Sequence, residues 1–361
     1  MKTPLQPIDK YFREVGIAFM MDQFQGEGPV EIHESLDVLD RSLDPKSLYV
    51  VFGTFEGQWE VARFDSFESS MPDVFPSHPI QVDERVDPIT QWKSTLDESS
   101  YLRYVNAIRQ EIEAGWVYQV NACRLLSNDA DIDLVQLFAR IRQRHRAPAA
   151  GYYRGLGWEI ASASPETFFR VSHHGERREI MTSPIKGTAR DGNFKEKDQA
   201  ENVMIVDLMR NDISPLCRIG TVDVPRLLGV EEHPGLFHLV SDVVGELRED
   251  VTWKEIVERL TPAGSISGAP KSSALEVIRR FEPYRGAYCG TLGWIHNGEA
   301  HFSVLIRTFF KDLRKDPRRT FFGTGAGTTW GSDAIDEWRE TELKAERLTA
   351  LASSVMAGIR S

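Results

Sequence analysis

Cysteine is scarce in this chain, and its placement excludes several kinds of site. The three cysteines, Cys123, Cys217 and Cys289, are odd in number and far apart, and none forms a Cys-x-x-Cys pair. A disulfide framework or a zinc site built on paired cysteines is therefore not expected. The sequence also lacks an apolar run of about 18 residues, the length that a membrane span needs, and its first residues lack the apolar core of a signal peptide. We expect a cytoplasmic protein with no membrane partner.

Positive charge is also in short supply. The 361 residues include 43 Lys and Arg against 54 Asp and Glu, which gives a formal net charge of −11. Proteins that bind nucleic acid usually carry a basic surface, so no nucleic-acid partner is expected. Hydrophobic residues make up 41% of the chain, enough for a sizeable core. A small anionic substrate would need a local cationic pocket or a metal ion.

The residue pattern changes near position 95. We predict a short β-rich region over 1–95, packed on a catalytic domain over 96–361. Strand-like segments include a hairpin of 288–296 and 299–310 around Asn297-Gly298. Helical periodicity is clearest in the segments 97–112, 134–144, 196–211, 253–260, 271–281 and 333–357. Because long strand runs alternate only irregularly with these helices, the pattern predicts an α+β sandwich rather than a βαβ array.

A carboxylate and an amine are predicted to meet at the open end of a hairpin. Glu166 begins one strand-like segment, in Ser164-Pro-Glu166, and Lys186 follows the next, in Pro184-Ile-Lys-Gly-Thr188. The turn near His174-Gly175 lies almost midway between them, and such a hairpin brings its two ends together. The pair can supply a general acid and a nucleophile. Spacing alone favours the simpler interpretation, a salt bridge at the mouth of a hairpin.

Acidic residues recur on one face of each of two predicted helices. Glu337, Glu340 and Lys344 stand at i, i+3 and i+7 of one helix, and Asp198 and Glu201 stand three apart on the other. Carboxylates from two helices could hold one Mg²⁺, which prefers oxygen ligands and keeps several waters. From the pattern alone, two solvated helix faces with ion pairs inside each helix are the better interpretation.

Two glycine-rich segments suggest anion-binding loops. Gly323-Thr-Gly325-Ala-Gly327 precedes a predicted helix and could offer backbone N–H groups to a carboxylate, although a tight turn explains it equally well. In the segment 262–272, three residues separate Gly264 from Gly268, and Ala-Pro precedes Lys271. This spacing does not fit the phosphate-binding P-loop, so we reject a nucleotide-binding function.

Taken in order along the chain, these segments resemble the chorismate-utilising enzyme family. That family includes the large subunits of anthranilate and aminodeoxychorismate synthases, isochorismate synthases and salicylate synthases. Each motif is weak alone, but the ordered set is specific, and it reverses the two simpler interpretations above. The matching segments are 115–121, 164–166, 184–188, 196–212, 238–241, 262–271, 285–290, 306–308, 325–327 and 337–345. The resemblance implies antiparallel sheets packed as a sandwich, with helices outside and the site in the cleft between the sheets.

The resemblance also implies roles for individual residues. Glu201 and Glu340 match carboxylates that hold Mg²⁺, with Asp198 and Glu337 beside them, and Glu166 matches the general acid for departure of the 4-hydroxyl. The residues implied in holding the enolpyruvyl carboxylate of chorismate are Arg307 and Tyr288, with the amides near Gly325 and Gly327. The other implied pocket positions are Thr188, Ser265, His238 and Lys344.

Two positions discriminate among members of the family. Isochorismate-forming members resemble one another in carrying a lysine base where this chain has Gln119, and a neutral amide is a poor base for activating water. The second position is Lys186, in the segment Pro-Ile-Lys-Gly-Thr. This segment resembles that of aminodeoxychorismate synthases, whereas the corresponding segment of anthranilate synthases is similar to Pro-Ile-Ala-Gly-Thr. The resemblance therefore implies that chorismate and ammonia become 4-amino-4-deoxychorismate through a covalent lysine adduct, toward para-aminobenzoate and folate. A separate glutaminase subunit is the implied source of ammonia.

Two alternatives remain open at this stage. An anthranilate synthase large subunit is the nearest enzyme alternative, and Lys186 argues against it. A non-catalytic chorismate-binding subunit is the second, and the filled acid, nucleophile and metal positions argue against it. Assays of metal-dependent turnover and of the product formed separate these possibilities.

Overall fold

The computed structural model describes residues 18–69, 92–144, 147–175, 177–189, 192–194, 196–233 and 236–357. The strands in these ranges are β1 Phe19–Met21, β2 Phe24–Gly26, β3 Glu31–His33, β4 Leu48–Gly53, β5 Trp59–Phe64, β6 Phe67–Glu68, β7 Lys93–Ser94, β8 Gln119–Asn128, β9 Gly151–Arg154, β10 Trp158–Ser162, β11 Thr167–His174, β12 Arg177–Thr182, β13 Ile185–Ala189, β14 Asp223–His233, β15 Leu236–Glu246, β16 Gly268–Ala269, β17 Thr291–His296, β18 Glu299–Val304, β19 Thr308–Asp312 and β20 Thr320–Thr328. The α-helices are α1 Glu98–Glu113, α2 Leu134–Arg144, α3 Glu196–Ile213, α4 Trp253–Leu260, α5 Gly264–Ser267, α6 Lys271–Phe281 and α7 Ala334–Ala357. Short 3₁₀ turns span Leu36–Asp40 and Ser214–Leu216.

The strands form two antiparallel sheets. The first sheet has the order β16-β8-β20-β19-β10-β9-β1-β2-β6, and β7 also pairs with β8. The second has the order β13-β15-β12-β11-β18-β17-β4-β5-β3, and β14 also pairs with β15. The predicted fold class, an α+β arrangement of antiparallel sheets with helices, is confirmed.

Aromatic side chains fill the space between the two sheets. Phe52 on β4 of the second sheet stacks on Tyr153 of the first sheet with ring centroids 5.8 Å apart, and it lies 5.6 Å from Trp158. All three rings are buried. Removing such large apolar surfaces from water is a major favourable contribution to folding, and here it holds one sheet against the other.

The helices lie close to where the sequence predicts them, although α3 ends at Ile213 rather than at 211 and the short helix α5 was not predicted. The Asp97 side chain accepts the Ser100 amide at 2.8 Å and caps α1, while Gly115 follows with φ +79°. The buried face of α1 packs on α6 and on Val120 of β8. The predicted bounds of α2, α4 and α6 agree with the structure to the residue. Among the described residues, no helix has both the length and the apolar character needed to cross a bilayer.

The N-terminal strands complete both sheets. β1 pairs with β9 in the first sheet, and β4 pairs with β17 in the second. The same short region, 18–69, therefore contributes to each layer of the sandwich. The predicted boundary at residue 95 stays a prediction.

The predicted strand over 299–310 is wrong as a single element. It is divided into β18 of the second sheet and β19 of the first, because residues 305–307 cross from one sheet to the other. Arg307, at φ +52°, marks the break. The pattern also fails to predict β14 and β15, where the ladder shifts register twice between Asp223 and Gly229. Such shifts disturb the alternation from which strands are recognised.

Candidate active site

Two crossings of the chain between the sheets lie side by side and carry Glu166 and Arg307. The Ala163 amide donates to the Arg307 carbonyl at 3.0 Å, and the Val304 amide donates to the Glu166 carbonyl at 3.2 Å. The Ser164 hydroxyl donates to the Val304 carbonyl at 2.6 Å and ties the crossings further. Glu166 is buried. The structure thus brings together a predicted acid and a predicted carboxylate-binding cation that are 141 positions apart in the sequence.

Arg307 has the properties of a ligand-binding cation. Its backbone adopts φ +52°, a conformation that costs energy for a residue with a side chain. The guanidinium forms no hydrogen bond or ion pair with the described part of the chain, and partial enclosure by protein lowers its pKa. A planar guanidinium with free donors suits a carboxylate, which it can bind through two parallel hydrogen bonds.

Gln119 and Gly327 meet on neighbouring strands. Register pairs Gly327 of β20 with Asn121 of β8, and a Cβ on Gly327 would lie 2.5 Å from Gln119 Nε2. The Gln119 side chain is buried, and its Oε1 accepts no hydrogen bond in the described structure. A buried acceptor without a donor is costly. This oxygen is therefore a candidate contact for a donor brought by a ligand.

The glycine segment 323–327 is part of a strand and not the predicted loop before a helix. It lies inside β20 and pairs with β8, and α7 begins only at Ala334. Its glycines make room for side chains, because a Cβ on Gly323 would lie 1.9 Å from the Tyr288 ring. The Gly325 carbonyl accepts a hydrogen bond from Lys344 Nζ at 2.9 Å. An anion-binding role for the Gly325 and Gly327 amides stays a prediction.

Tyr288 lies directly over Gly323. Its side chain is 4% exposed, and burial raises the pKa of its phenol well above the usual value. The Tyr288 amide donates to the Arg285 carbonyl at 3.2 Å. The neutral phenol is thus held in a short turn against β20, where it can act as a hydrogen-bond donor.

The segment that carries Ser265 lies between the first sheet and α3. It is buried in α5, the short helix that precedes β16. Gly264 of this helix faces α3 so closely that a Cβ would lie 2.4 Å from the Leu208 side chain. α3 is the helix that carries Asp198 and Glu201, so these predicted residues lie on an element in contact with the Ser265 segment.

A β-bulge marks the position of Lys186. Ile185 pairs with Val240 and Thr188 pairs with His238, so three steps along β13 match two along β15. Gly187 takes φ +85°, the left-handed conformation that a glycine bulge uses. For Lys186 and Thr188 the structure describes the backbone and not the side chains.

The bulge lies against α3. A Cβ on Gly187 would be 3.1 Å from the Asp198 side chain. Asn202 of α3 donates to the Leu239 carbonyl at 3.2 Å and accepts from the Ser241 hydroxyl at 2.5 Å. These bonds dock α3 on β15 next to the buried His238. The predicted acids of α3 and the backbone of Lys186 therefore share one corner of the second sheet.

The predicted metal ligands do not form a metal cage by themselves. Glu337 is buried in the first turn of α7, and Glu340 binds Lys344 at 2.6 Å. The described ranges contain no group of three or more His, Cys, Asp or Glu side chains that could hold a metal ion. Mg²⁺ often takes one or two protein carboxylates and completes its shell with water and substrate oxygens. The metal role of Glu201 and Glu340 stays a prediction.

Sequence reasoning missed a buried pair beneath Tyr288 and the N-terminal residue that supports it. Arg285 and Glu282 form an ion pair at 2.5 Å, and the Glu56 carboxylate accepts the amides of Arg285 and Gly286. Arg285 stands in one of the motifs quoted above, but without a role. Glu56 lies 229 positions from Arg285, and no local pattern in the sequence indicates it.

Two antiparallel sheets with helices give the fold class that solved chorismate-utilising enzymes have. The structure superposes on anthranilate synthase component I from Streptococcus pneumoniae TIGR4 with a TM-score of 0.75, covering 96% of this chain and 97% of that one. Identity there is 21%, so this likeness shows the fold.

The family itself is shown by sequence. The family model of chorismate binding enzymes matches residues 37–350, and the chain belongs to this family. It is 33% identical over 275 residues to anthranilate synthase component 1 of Saccharolobus solfataricus, and 34% identical over 274 residues to aminodeoxychorismate synthase component 1 of Escherichia coli K12. Each alignment covers 72% of this chain but only 63% and 59% of those relatives, so the chain spans less than two thirds of their length.

Proposed function

We propose that this protein is an aminodeoxychorismate synthase component that converts chorismate and ammonia to 4-amino-4-deoxychorismate. Relatives with this name and relatives named anthranilate synthase are almost equally similar to it, so overall similarity does not choose between the two activities. The observation that carries the proposal is Lys186 in the Pro-Ile-Lys-Gly-Thr bulge of β13. The corresponding segment of anthranilate synthases is similar to Pro-Ile-Ala-Gly-Thr, with alanine in place of the lysine.

A lysine at this place decides where nitrogen enters the ring. In the proposed first step, the neutral amine of Lys186 forms a bond to C2 of chorismate, both ring double bonds shift, from C1=C2 and C5=C6 to C1=C6 and C4=C5, and the C4–O bond breaks. Glu166 protonates the departing hydroxyl, which leaves as water. Because C2 is now occupied, ammonia attacks C4, both double bonds shift back, and the C2–N bond breaks to release the lysine amine. The sum is chorismate plus ammonia giving 4-amino-4-deoxychorismate plus water.

The local backbone supports this role for Lys186. A bulge changes the direction of the side chains that follow the irregularity and occurs often beside active sites. Here the bulge stands between the strand of His238 and the helix of Asp198 and Glu201. A nucleophilic lysine must lose its proton, and neighbouring cations or burial would favour the neutral amine.

The remaining groups provide substrate binding in this proposal. Arg307, with its free guanidinium, and Tyr288, with its phenol, would hold the enolpyruvyl carboxylate. Gln119 Oε1, a buried acceptor without a donor, would accept a hydrogen bond from ammonia or from a hydroxyl of the substrate. An amide cannot act as the base that activates water, so formation of isochorismate is not expected.

A magnesium ion belongs to the proposal as a substrate-binding group. Glu201 and Glu340 would hold it, with Asp198 and Glu337 nearby. When bound, the ion would neutralise the ring carboxylate of chorismate and favour departure of the 4-hydroxyl. The ammonia would come from a glutaminase subunit, and a separate lyase would be needed to release para-aminobenzoate.

A product assay tests the proposal. The purified protein is incubated with chorismate, Mg²⁺ and an ammonium salt, with and without an aminodeoxychorismate lyase, and the products are identified by mass spectrometry. We expect an aminated intermediate that becomes 4-aminobenzoate only when the lyase is present. Direct formation of anthranilate would contradict the assigned role of Lys186. Binding of chorismate without turnover would support a non-catalytic subunit.

A further inference from the structure

The tip of the β4–β5 hairpin, residues 54–58, holds the segment that carries Tyr288. Both carboxylate oxygens of Glu56 accept amide protons from this segment, from Arg285 at 2.8 Å and from Gly286 at 3.1 Å. In return, the Phe55 amide donates to the Gly286 carbonyl at 2.9 Å. The Arg285 guanidinium lies 4.4 Å above the Phe55 ring. Two consecutive residues of the N-terminal region thus bind two consecutive residues of the Tyr288 segment.

The hairpin tip is itself well defined. The Thr54 amide donates to the Gln58 carbonyl at 2.9 Å, and the Gln58 amide donates to the Thr54 hydroxyl at 3.0 Å. Gly57 supplies the left-handed conformation that the turn needs, with φ +83°. Because the turn is closed by its own hydrogen bonds, it presents the Glu56 carboxylate to the two amides from a fixed position.

The Arg285 side chain extends this connection to β8 and α5. Its side chain is 1% exposed and donates to the Asn121 carbonyl at 2.7 Å and to the Ile266 carbonyl at 3.1 Å. Asn121 follows Gln119 by two positions on β8, and Ile266 follows Ser265 in α5. One buried guanidinium therefore connects the segments of Gln119, Ser265 and Tyr288.

Glu282 connects Arg285 to α1 and β8. It binds Arg285 and also accepts the Tyr104 hydroxyl at 2.8 Å and the Cys123 amide at 2.9 Å. Removing either member of this buried pair would leave the other without its partner and endanger the fold. Glu56 differs because it is exposed as a residue, so it can be changed with little risk to the core.

We propose that Glu56 is a positioning residue for substrate binding. It fixes the 285–290 segment so that Tyr288 stays over Gly323 in the substrate cleft, and it thereby makes the N-terminal hairpin a working part of the site. The inference deepens the proposed function and rests on it, since chorismate is the ligand that Tyr288 would meet.

Hydrogen exchange tests the anchoring without any substrate. The variants are Glu56→Gln, which keeps the size of the side chain but loses one acceptor oxygen, and the control Gln58→Ala at the same turn. The Gln58 side chain accepts only one long bond among the described residues, from Tyr284 at 3.5 Å. We expect the amides of 285–290 to exchange about five- to tenfold faster in Glu56→Gln, with the core strands and the melting temperature unchanged. Equal exchange in the three proteins would overturn the proposal.

Steady-state kinetics then test the consequence for binding. In Glu56→Gln, we expect the KM for chorismate to rise about five- to tenfold with kcat within about twofold, because loss of preorganisation weakens binding before it alters chemistry. Gln58→Ala should match the wild type. An unchanged KM in Glu56→Gln would refute the positioning role. A wild-type protein that neither binds nor converts chorismate would refute the proposed function instead, while the exchange experiment would still decide whether Glu56 anchors the segment.

Discussion

Two parts of the candidate site, here called walls, are built in different ways. One wall consists of β8, β20, α5 and the 285–290 segment, and its buried groups bind partners up to 230 positions away in sequence. The other consists of β13 and α3, where a bulge of a few residues places Lys186 beside His238 and Asp198. We call these the long-range wall and the local wall.

The difference between the walls separates binding from the choice of reaction. The long-range wall contains a buried acceptor, Gln119 Oε1, and a buried phenol, Tyr288, which suit substrate binding in our proposal. The buried Arg285 connects the segments that carry them. The local wall contains the one position, Lys186, that distinguishes amination at C4 from amination at C2 in our proposal. Changes in the local wall should therefore alter the product, and changes in the long-range wall should alter affinity or stability.

The largest effect is expected for Lys186→Ala. Loss of a covalent nucleophile typically costs about 10³-fold or more in rate, so formation of 4-amino-4-deoxychorismate should fall to that extent or shift toward amination at C2. Rates and products are measured by liquid chromatography with mass spectrometry. Lys93→Ala is the matched control, since Lys93 is 77% exposed and paired with Asp129. An unchanged rate and product in Lys186→Ala would remove the local wall from the mechanism.

The next effect is on stability, in the long-range wall. Glu282→Ala leaves the Arg285 guanidinium buried without its carboxylate, and breaking such a pair costs about 3 kcal/mol or more. Urea unfolding followed by circular dichroism measures the change. Glu276→Ala on the exposed face of α6 should stay within about 0.5 kcal/mol of the wild type. A similarly small change in the free energy of unfolding for Glu282→Ala would show that the Glu282–Arg285 pair does not stabilise the fold.

A smaller effect on catalysis is expected at Gly327, which leaves space for the Gln119 side chain. Gly327→Ala places a methyl group 2.5 Å from Gln119 Nε2, and that amide must move. Because the contact is with the end of a flexible side chain, the fold should survive, and kcat/KM for chorismate should fall about three- to tenfold. Gly331→Ala is the control, since no atom lies within 4 Å of its added Cβ. Equal kinetics in both variants would mean that Gln119 does not contact the substrate.

The sequence predicts the parts of this molecule that depend on local pattern. The bounds of α2, α4 and α6 are predicted correctly because the apolar periodicity of each helix lies within its own segment. At α4 a local cap adds to this signal, since Thr252 accepts the Glu255 amide at 3.2 Å. The antiparallel α+β class was also predicted correctly. The hairpins β11–β12 and β17–β18 were predicted correctly as well. The division of 299–310 between the two sheets was not, because the crossing at 305–307 depends on which sheet each neighbour joins.

The same distinction holds within the site. Glu166 and Arg307 were recognised from short motifs, and the structure shows their crossings side by side. Glu56 was not recognised, because its partners Arg285 and Gly286 follow it by about 230 positions and a single acidic residue in a turn carries no pattern. The glycines of β20 were assigned to a loop, whereas they provide space for Tyr288 and Gln119.

The most direct test of the central claim is to look for the lysine adduct. The wild-type protein is mixed with chorismate and Mg²⁺ in the absence of ammonia, quenched, digested and analysed by mass spectrometry. We predict that the peptide containing Lys186 gains the mass of chorismate less one water, and that prior addition of an ammonium salt removes this species as product forms. An active enzyme whose Lys186 peptide never carries that mass, with or without ammonia, would contradict the account.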